Sequence, residues 1–357
     1  MPTDEKLLIL NVIKIFWLAG AGFFIAFALS PVVSRILYGL KFWRKEARTM
    51  AMDNTPAPIT AKLHPPREVP RGGGILIWGS VIIVALLFFF LYEISERPIL
   101  DKLNFLSRSQ TWLPLFTLVA SSLLGLADDF MVVFGKGKYV GGGMRFTRRL
   151  ILVIIIALVG AWWFHYRLGW HTIRVPFFGD FEIGVWYIPL FLGAMLATFG
   201  TSPVDGLDGL SGGVFASSFA AFMGIAFARG QIDLAAFIAV LVGTLLAFLW
   251  YNIPPARFFM GETGILGLTT TLTVVAFLTN SIVVLPIVAF IPFMTMISVA
   301  VQLGSKRFFG KKIFLAAPLH HHFEAIGWPS YKVTMRFWVV NAVMALIGMT
   351  IGLITLR

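Results

Sequence analysis

Ser202-Pro203-Val204-Asp205-Gly206-Leu207-Asp208-Gly209-Leu210-Ser211 separates two long apolar runs, 185–200 and 210–228. Its two carboxylates lie three positions apart, each followed by glycine. An aspartate at the middle of a bilayer costs ~2.5–3.5 kcal/mol on insertion scales. In a short loop between two membrane helices the pair escapes that cost and faces water. The glycines let the backbone turn tightly and let a ligand approach. The stretch therefore reads as a polar turn at one end of a membrane bundle, and it decides the fold class: an all-α, polytopic membrane protein.

The rest of the 357-residue chain agrees. It is 58% hydrophobic and only 13% charged, whereas soluble domains carry about 25% charged residues. Apolar runs fall at about 7–30, 74–93, 111–130, 149–165, 185–200, 210–228, 233–251, 263–279, 281–303 and 334–356, which gives ten expected spans. No polar stretch is long enough for a second domain, so one integral membrane domain over 1–357 is expected. Without cysteine there is no disulfide, thiolate metal site or thiol nucleophile. The net charge of +12 belongs to the excess of Lys and Arg in cytoplasmic loops rather than to nucleic-acid binding. The loops 31–73, 131–148, 201–209, 252–262 and 304–333 alternate onto one face and hold most of the 29 Lys and Arg. They are expected in the cytoplasm, with both termini periplasmic. Ala26-Phe27-Ala28 mimics a cleavage site, but the first run is long and is read as a retained helix.

Those loops collect the residues with chemistry. The first ends Pro70-Arg71-Gly72-Gly73-Gly74, read either as an anion cradle at a helix start or as a flexible entry to the second span. The third span ends Ala127-Asp128-Asp129-Phe130. Adjacent acids there repel each other and oppose the helix dipole. A divalent cation or a shared proton would relieve them; the plainer reading is solvated helix-end acids. The next loop, with Lys136, Lys138, Gly141-Gly142-Gly143, Arg145, Arg148 and Arg149, is not a P-loop, because no Gly-Lys-Ser/Thr opens a helix. Its lysines would hold phosphates or simply mark the cytoplasmic side. The outer loop 166–184 is expected to form a short hairpin without chemistry.

Between spans seven and eight lies Asn252-Ile253-Pro254-Pro255-Ala256-Arg257-Phe258-Phe259-Met260-Gly261-Glu262-Thr263. Glu262 is either a capping acid at a helix start or a metal ligand, and Phe259 is placed to stack on a base. The last loop carries Leu319-His320-His321-His322-Phe323-Glu324. The spacing is not that of a helical zinc pair, so imidazoles donating to phosphate oxygens fit better than a metal site. Asp128, Asp129, Asp205, Asp208, Glu262 and the three histidines thus share one face although they come from different loops. Acids, imidazoles and cations at one membrane surface suit a phosphate-rich soluble substrate meeting a lipid. Hard oxygen ligands suit magnesium held by one or two carboxylates plus substrate phosphates. A transporter would instead place such groups near the bilayer midplane.

Four pieces in this order, Asp128-Asp129, Asp205-Gly206-Leu207-Asp208-Gly209-Leu210, Asn252 through Glu262, and Ala317-Pro318-Leu319-His320-His321-His322-Phe323-Glu324, resemble the polyprenyl-phosphate N-acetylhexosamine-1-phosphate transferase superfamily over nearly the whole chain. The triple histidine is most similar to its phospho-N-acetylmuramoyl-pentapeptide transferase branch. The resemblance implies transfer of phospho-MurNAc-pentapeptide from its UDP-activated form to undecaprenyl phosphate, giving lipid I and UMP in peptidoglycan synthesis. A sister activity on UDP-GlcNAc or another UDP-hexosamine is the alternative. It also implies Mg2+, a homodimer and the bacterial cytoplasmic (inner) membrane. By the same resemblance Asp128, Asp129 and Asp205 are catalytic and Glu262 holds the metal. Arg71, Lys138, Gly206, Leu207, Asp208, Asn252, Phe259, His320, His321 and His322 bind substrate. Three departures stand out. Ser202-Pro203-Val204 replaces the usual Asn-Leu-Thr, Glu262 replaces an aspartate, and Pro70-Arg71-Gly72 stands in place of Thr-Pro-Thr-Met and is similar to other branches of the superfamily.

Overall fold

The computed structural model describes residues 3–44, 67–95, 98–106, 109–135 and 143–354. The helices are α1 (Thr3–Gly39), α2 (Gly74–Ser95), the short α3 (Pro98–Leu103), α4 (Ser109–Val133), α5 (Phe146–Trp162), α6 (Tyr187–Gly200), α7 (Leu210–Ala228), α8 (Ile232–Asn252) and α9 (Gly261–Leu278). They continue with α10 (Leu285–Val288), α11 (Phe290–Phe309), α12 (Leu319–Ala325) and α13 (Ser330–Ile354). Among the described residues nine helices are long and apolar enough to cross a membrane, and a tenth crossing needs a bent pair to count as one span. The chain is therefore a multi-pass helical membrane protein.

The expected span 281–303 is the bent pair. It breaks at Ala289, and α11 leaves Ile282–Val288 at 84°. A break inside an apolar bundle needs substitute partners for its backbone groups. Asn341 of α13 supplies an acceptor, its Oδ1 taking the Ile291 N–H at 3.0 Å. Ser218 of α7 donates its hydroxyl to the Val288 carbonyl at 3.0 Å. The first span also outruns its expected end, since α1 passes through Pro31 to Gly39.

The core is built around α9, which is 94% buried. Gly125 and Ser122 of α4 face the start and middle of α9. A Cβ at Gly125 would overlap the Glu262 carbonyl, and one at Gly267 would overlap the Ser122 hydroxyl. Small residues on both helices thus bring the backbones together, as membrane helices require when no water drives association. Thr198 of α6 and Thr273 of α9 share a buried hydrogen bond of 2.6 Å. By contrast α1, α5 and α13 keep most of their apolar side chains outward, toward the space a bilayer fills.

The expected outer hairpin is present: β1 (Thr172–Val175) pairs antiparallel with β2 (Gly179–Glu182). Arg174 reaches Asp180 at 2.6 Å, and its N–H donates to Asn280 Oδ1 at the end of α9. Every group described next lies at the other end of the bundle, where α4 and α8 finish and α7 and α9 begin.

Candidate active site

The Asp128-Asp129 pair sits within the last turns of α4, which runs on to Val133. Adjacent residues on a helix point about 100° apart, and the two carboxylates find separate partners. Asp128 accepts the Met144 N–H at 2.5 Å and an Arg149 Nη1 hydrogen bond at 3.3 Å. Asp129, fully buried, accepts from Arg71 Nε at 3.1 Å and from the Thr263 N–H at 3.0 Å. Two arginines thus contact the adjacent acids, Arg149 at Asp128 and Arg71 at Asp129. Asp129, with both oxygens engaged and no exposed surface, holds neighbouring groups in place.

The first turn of α9 ties the acids together. Met260, its N-cap, offers no side-chain cap, so the orphan N–H groups of a helix start turn to carboxylates from elsewhere. Asp129 takes Thr263, and Asp205 takes Gly261 at 3.1 Å. Gly261 has φ +73°, and a Cβ there would crowd Asp129 Oδ2 and the Gly72 N–H; only glycine admits both neighbours. Asp205 also accepts the Ser211 hydroxyl at 2.7 Å. Burial pushes its carboxyl up to about 6, against the pull of these two hydrogen bonds and of Arg71. Burial alone would lower the Arg71 guanidinium. The carboxylates of Asp129, Glu262 and Asp205 outweigh it and hold Arg71 above its ordinary value.

Glu262 does not cap its helix. Its Oε1 meets Arg149 Nη1 at 2.7 Å. Its Oε2 is buried with no hydrogen-bond partner. A buried acceptor without a donor costs ~1–3 kcal/mol or more, so this oxygen is suited to a cation or a ligand donor. Among the described residues no three His, Asp or Glu side chains gather into a metal cage. The donor set fits magnesium, which commonly keeps one or two carboxylates and takes its other oxygens from phosphates and water.

The loop 205–209 packs against four other segments. Asp208 is paired with Arg67 at 3.1 Å and accepts the Ala256 N–H at 3.2 Å. Its carbonyl accepts from Thr334, and that of Gly209 from Trp338 Nε1, both on α13. A Cβ at Gly206 would overlap His320 Nε2. The glycine therefore lets α12 close onto the loop, with Leu207 buried beside it.

Consecutive positions on α12 send the three imidazoles in different directions. His320 lies on Gly206. His321 Nδ1 pairs with Glu324 at 2.8 Å, and Glu324 also accepts from Ser330. His322 Nδ1 takes the Leu315 N–H at 3.3 Å.

Two sequence readings need correction. Gly73 and Gly74 spend their N–H groups on the carbonyls of Phe259 and Met260, at 2.8 and 2.9 Å, so the triple glycine is no anion cradle. It is a close crossing, where a Cβ at Gly74 would overlap Gly264. Asn252, expected at the nucleotide, is 2% exposed. Its Oδ1 accepts from Gly209 N–H and its Nδ2 donates to Phe258 O, so it braces the loop instead of lining it. Phe259 is half-buried beside it. Lys138 lies outside the described residues. Sequence reasoning counted Arg149 only as one basic residue of a loop. Its signal was position, as the cation that opens a membrane span within reach of two acids.

Comparison with known proteins decides the family. The glycosyl transferase family 4 model matches residues 111–280, which include all five acids of the network and of the 205–209 loop. The phospho-N-acetylmuramoyl-pentapeptide-transferase of Anoxybacillus flavithermus is 32% identical over 96% of this chain and 99% of its own length. The chain belongs to the phospho-N-acetylmuramoyl-pentapeptide-transferase family. Members from Chloroflexus aurantiacus (30% identical over 99% of this chain and 94% of that protein) and Bacillus subtilis (33% over 92% and 95%) match it as fully. Similarity to this transferase family therefore extends past the matched segment to Arg71 and to the histidines of α12.

Proposed function

We propose that this chain transfers phospho-MurNAc-pentapeptide from UDP-MurNAc-pentapeptide to undecaprenyl phosphate, forming lipid I and UMP at the cytoplasmic face of the bacterial inner membrane. Full-length similarity to proteins of that name supports the reading. The observation that carries it is the single network Asp128–Arg149–Glu262 with Asp129, Arg71 and Asp205 around the start of α9. An oxygen of the lipid phosphate attacks the β-phosphorus, the bond from that phosphorus to the bridging oxygen breaks, and UMP leaves with the electron pair. Phosphoryl transfer asks the protein mainly for alignment and charge neutralisation.

Glu262, through its unpartnered oxygen, and Asp205 would hold Mg2+. The ion would neutralise charge on the diphosphate of the nucleotide sugar. Asp128, at the edge of the network, keeps the lipid phosphate deprotonated. Asp129 orients Arg71, whose guanidinium faces the phosphates. Gly206, Asp208 and Phe259 flank the uridine, and His320 to His322 meet phosphate or sugar. Two copies of the chain are expected to work as a homodimer.

Incubating purified protein with undecaprenyl phosphate and each UDP-sugar, then weighing the lipid product, tests the reading. A product carrying MurNAc-pentapeptide through a diphosphate is expected. A product formed only from UDP-GlcNAc would replace this reading with the sister activity.

A further inference from the structure

Beside the site, α11 ends in a tip. Gly310 stops the helix with φ +64°, and the chain turns back along it. A polar seam bolts the returning segment down. Ser305 donates its hydroxyl to Lys311 O at 2.8 Å. Gln302 Oε1 accepts the Ile313 and Phe314 N–H groups, both at 3.0 Å, and its Nε2 donates to Phe314 O at 2.9 Å. Ser298 Oγ accepts the Leu319 N–H at 2.9 Å. Residues 298, 302 and 305 are spaced to share one helix face, and all three are buried. The tip is thus a braced, two-limbed unit.

What it presents is unusual for a loop that ends in water. Phe308 is 78% exposed, Phe309 76%, Ile313 58% and Leu315 51%. Lys306, Arg307, Lys311 and Lys312 are interleaved with them. Ile313 and Leu315 are exposed, whereas Phe314 between them is half-buried and its ring meets His322 at 5.4 Å. Aromatic and aliphatic side chains set among cations match the chemistry of a segment lying at the headgroup level of a membrane. Each cation near an anionic leaflet adds attraction that salt weakens.

We propose that the tip 306–315 inserts into the headgroup layer of an anionic membrane leaflet, with Phe308 and Phe309 below the headgroups and the exposed cations Arg307, Lys311 and Lys312 on lipid phosphates. Charge complementarity commits the tip to this occupant. The insertion has a consequence for α12. The limb is joined to it through Phe314 and through the Leu315 N–H on His322 Nδ1, so docking the tip sets the height of the histidine helix against the bilayer. Only that consequence rests on the transferase reading: it would place α12 where an acceptor lipid phosphate arrives.

The absence of cysteine allows a single fluorescent label through Ile313→Cys in the full chain. The labelled protein is placed in nanodiscs of phosphatidylcholine, with or without phosphatidylglycerol. The proposal expects brominated acyl chains to quench the label several-fold more with phosphatidylglycerol present. High salt, Lys311→Gln/Lys312→Gln or Phe308→Ser/Phe309→Ser should each remove that gain in protein that still elutes as a folded species. A label equally open to aqueous iodide in both lipids, and indifferent to these changes, would overturn it and leave the tip as a surface for a soluble partner. In turnover, Phe308→Ser/Phe309→Ser should raise KM for the polyprenyl phosphate several-fold and leave KM for the nucleotide sugar unchanged. Equal loss on both substrates would reject the link to the acceptor. An inactive parent protein would sink the transferase reading alone, because the quenching result stands without turnover.

Discussion

Arg149 Nη1 lies 2.7 Å from Glu262 Oε1, joining the start of α5 to the start of α9. The same nitrogen lies 3.3 Å from Asp128 Oδ2, so one guanidinium serves two acids from different helices. The extra methylene of a glutamate over an aspartate gives Glu262 the longer reach that this contact uses. Oε1 goes to the arginine while Oε2 is left without a partner.

Glu262→Gln is expected to keep the shape of that contact and lose the anionic oxygen. Turnover should fall by roughly 10²–10³, the size of effect seen when one aligned electrostatic group is removed from an active site, and added magnesium should not restore it. Glu262→Asp should keep part of the activity and shift the magnesium titration, because the shorter arm cannot serve Arg149 and a cation in the same way. UMP release against magnesium concentration is the measurement. A wild-type titration curve in both variants would remove Glu262 from the metal site.

Arg149→Met should act on stability first. It strips the cation from two largely buried acids, and removing one partner of a buried pair costs about 3–5 kcal/mol. Thermal unfolding in detergent should show a large drop in Tm. Arg149→Lys should recover most of the Tm while still lowering turnover, since a flexible ammonium keeps the charge but not the fixed planar geometry that holds Nη1 between the two carboxylates. Equal Tm and equal activity in all three proteins would mean that the bridge does nothing.

Asp128→Asn retains an acceptor for the Met144 N–H and nearly the same volume. The protein should stay folded and UMP release should fall below detection. Asp129→Asn should be worse for folding, because a neutral amide replaces the carboxylate that holds buried Arg71 and caps α9 through Thr263. Comparing Tm with turnover for the two variants separates the roles. A folded, inactive Asp129 variant beside a folded, active Asp128 variant would exchange them.

Much of this arrangement was legible in the chain. The apolar runs are long and interrupted by charge only at their ends, so nearly every span stands where hydropathy puts it. The candidate site was legible because Asp128, Asp205, Glu262 and the histidines all fall in loops or at span ends of one parity. What could not be read is what polar residues inside apolar runs are for. Asn341 and Ser218 look like isolated polar residues in two different spans, yet together they satisfy the break that bends α11 away. Ser298, Gln302 and Ser305 interrupt an apolar run at helical spacing, and only the folded chain shows the limb they hold. Asn252 and the triple glycine misled for the same reason. Their residue types suit ligands, but their hydrogen bonds and close crossings are spent inside the protein.

Asp205 gives a pH signature. Its folded-state carboxyl is pushed up to about 6 from 3.8 by burial. The folded form then binds more protons than the unfolded form between those values, so stability should fall as pH rises from about 4 to about 6 and level off above. A shift of about two units corresponds to ~3 kcal/mol. Asp205→Asn should flatten that part of the curve, with a higher Tm than the parent at pH 7 and little difference at pH 4. Magnesium favours the charged carboxylate, so it should stabilise the parent at pH 7 more than at pH 5. Turnover should rise through pH 6 as Asp205 ionises. A Tm profile identical in parent and Asp205→Asn would show that this carboxyl is not the group that titrates.

Gly206→Ala tests the contact that brings the histidine helix to the acid loop. The added methyl group would overlap His320 Nε2, so either α12 or the loop must move. A displacement of about 1 Å at a positioning group can cost ~10²-fold in rate, and a loss of that order in kcat/KM is expected. Because the clash is with the ring end of one buried side chain, and no buried charge loses its partner, the global Tm should change far less than for Arg149→Met. His320→Ala in the Gly206→Ala background removes the obstacle. If the clash is the cause, the double variant should be no worse than His320→Ala alone. An additive loss in the double variant would mean that Gly206 acts through substrate and not through α12.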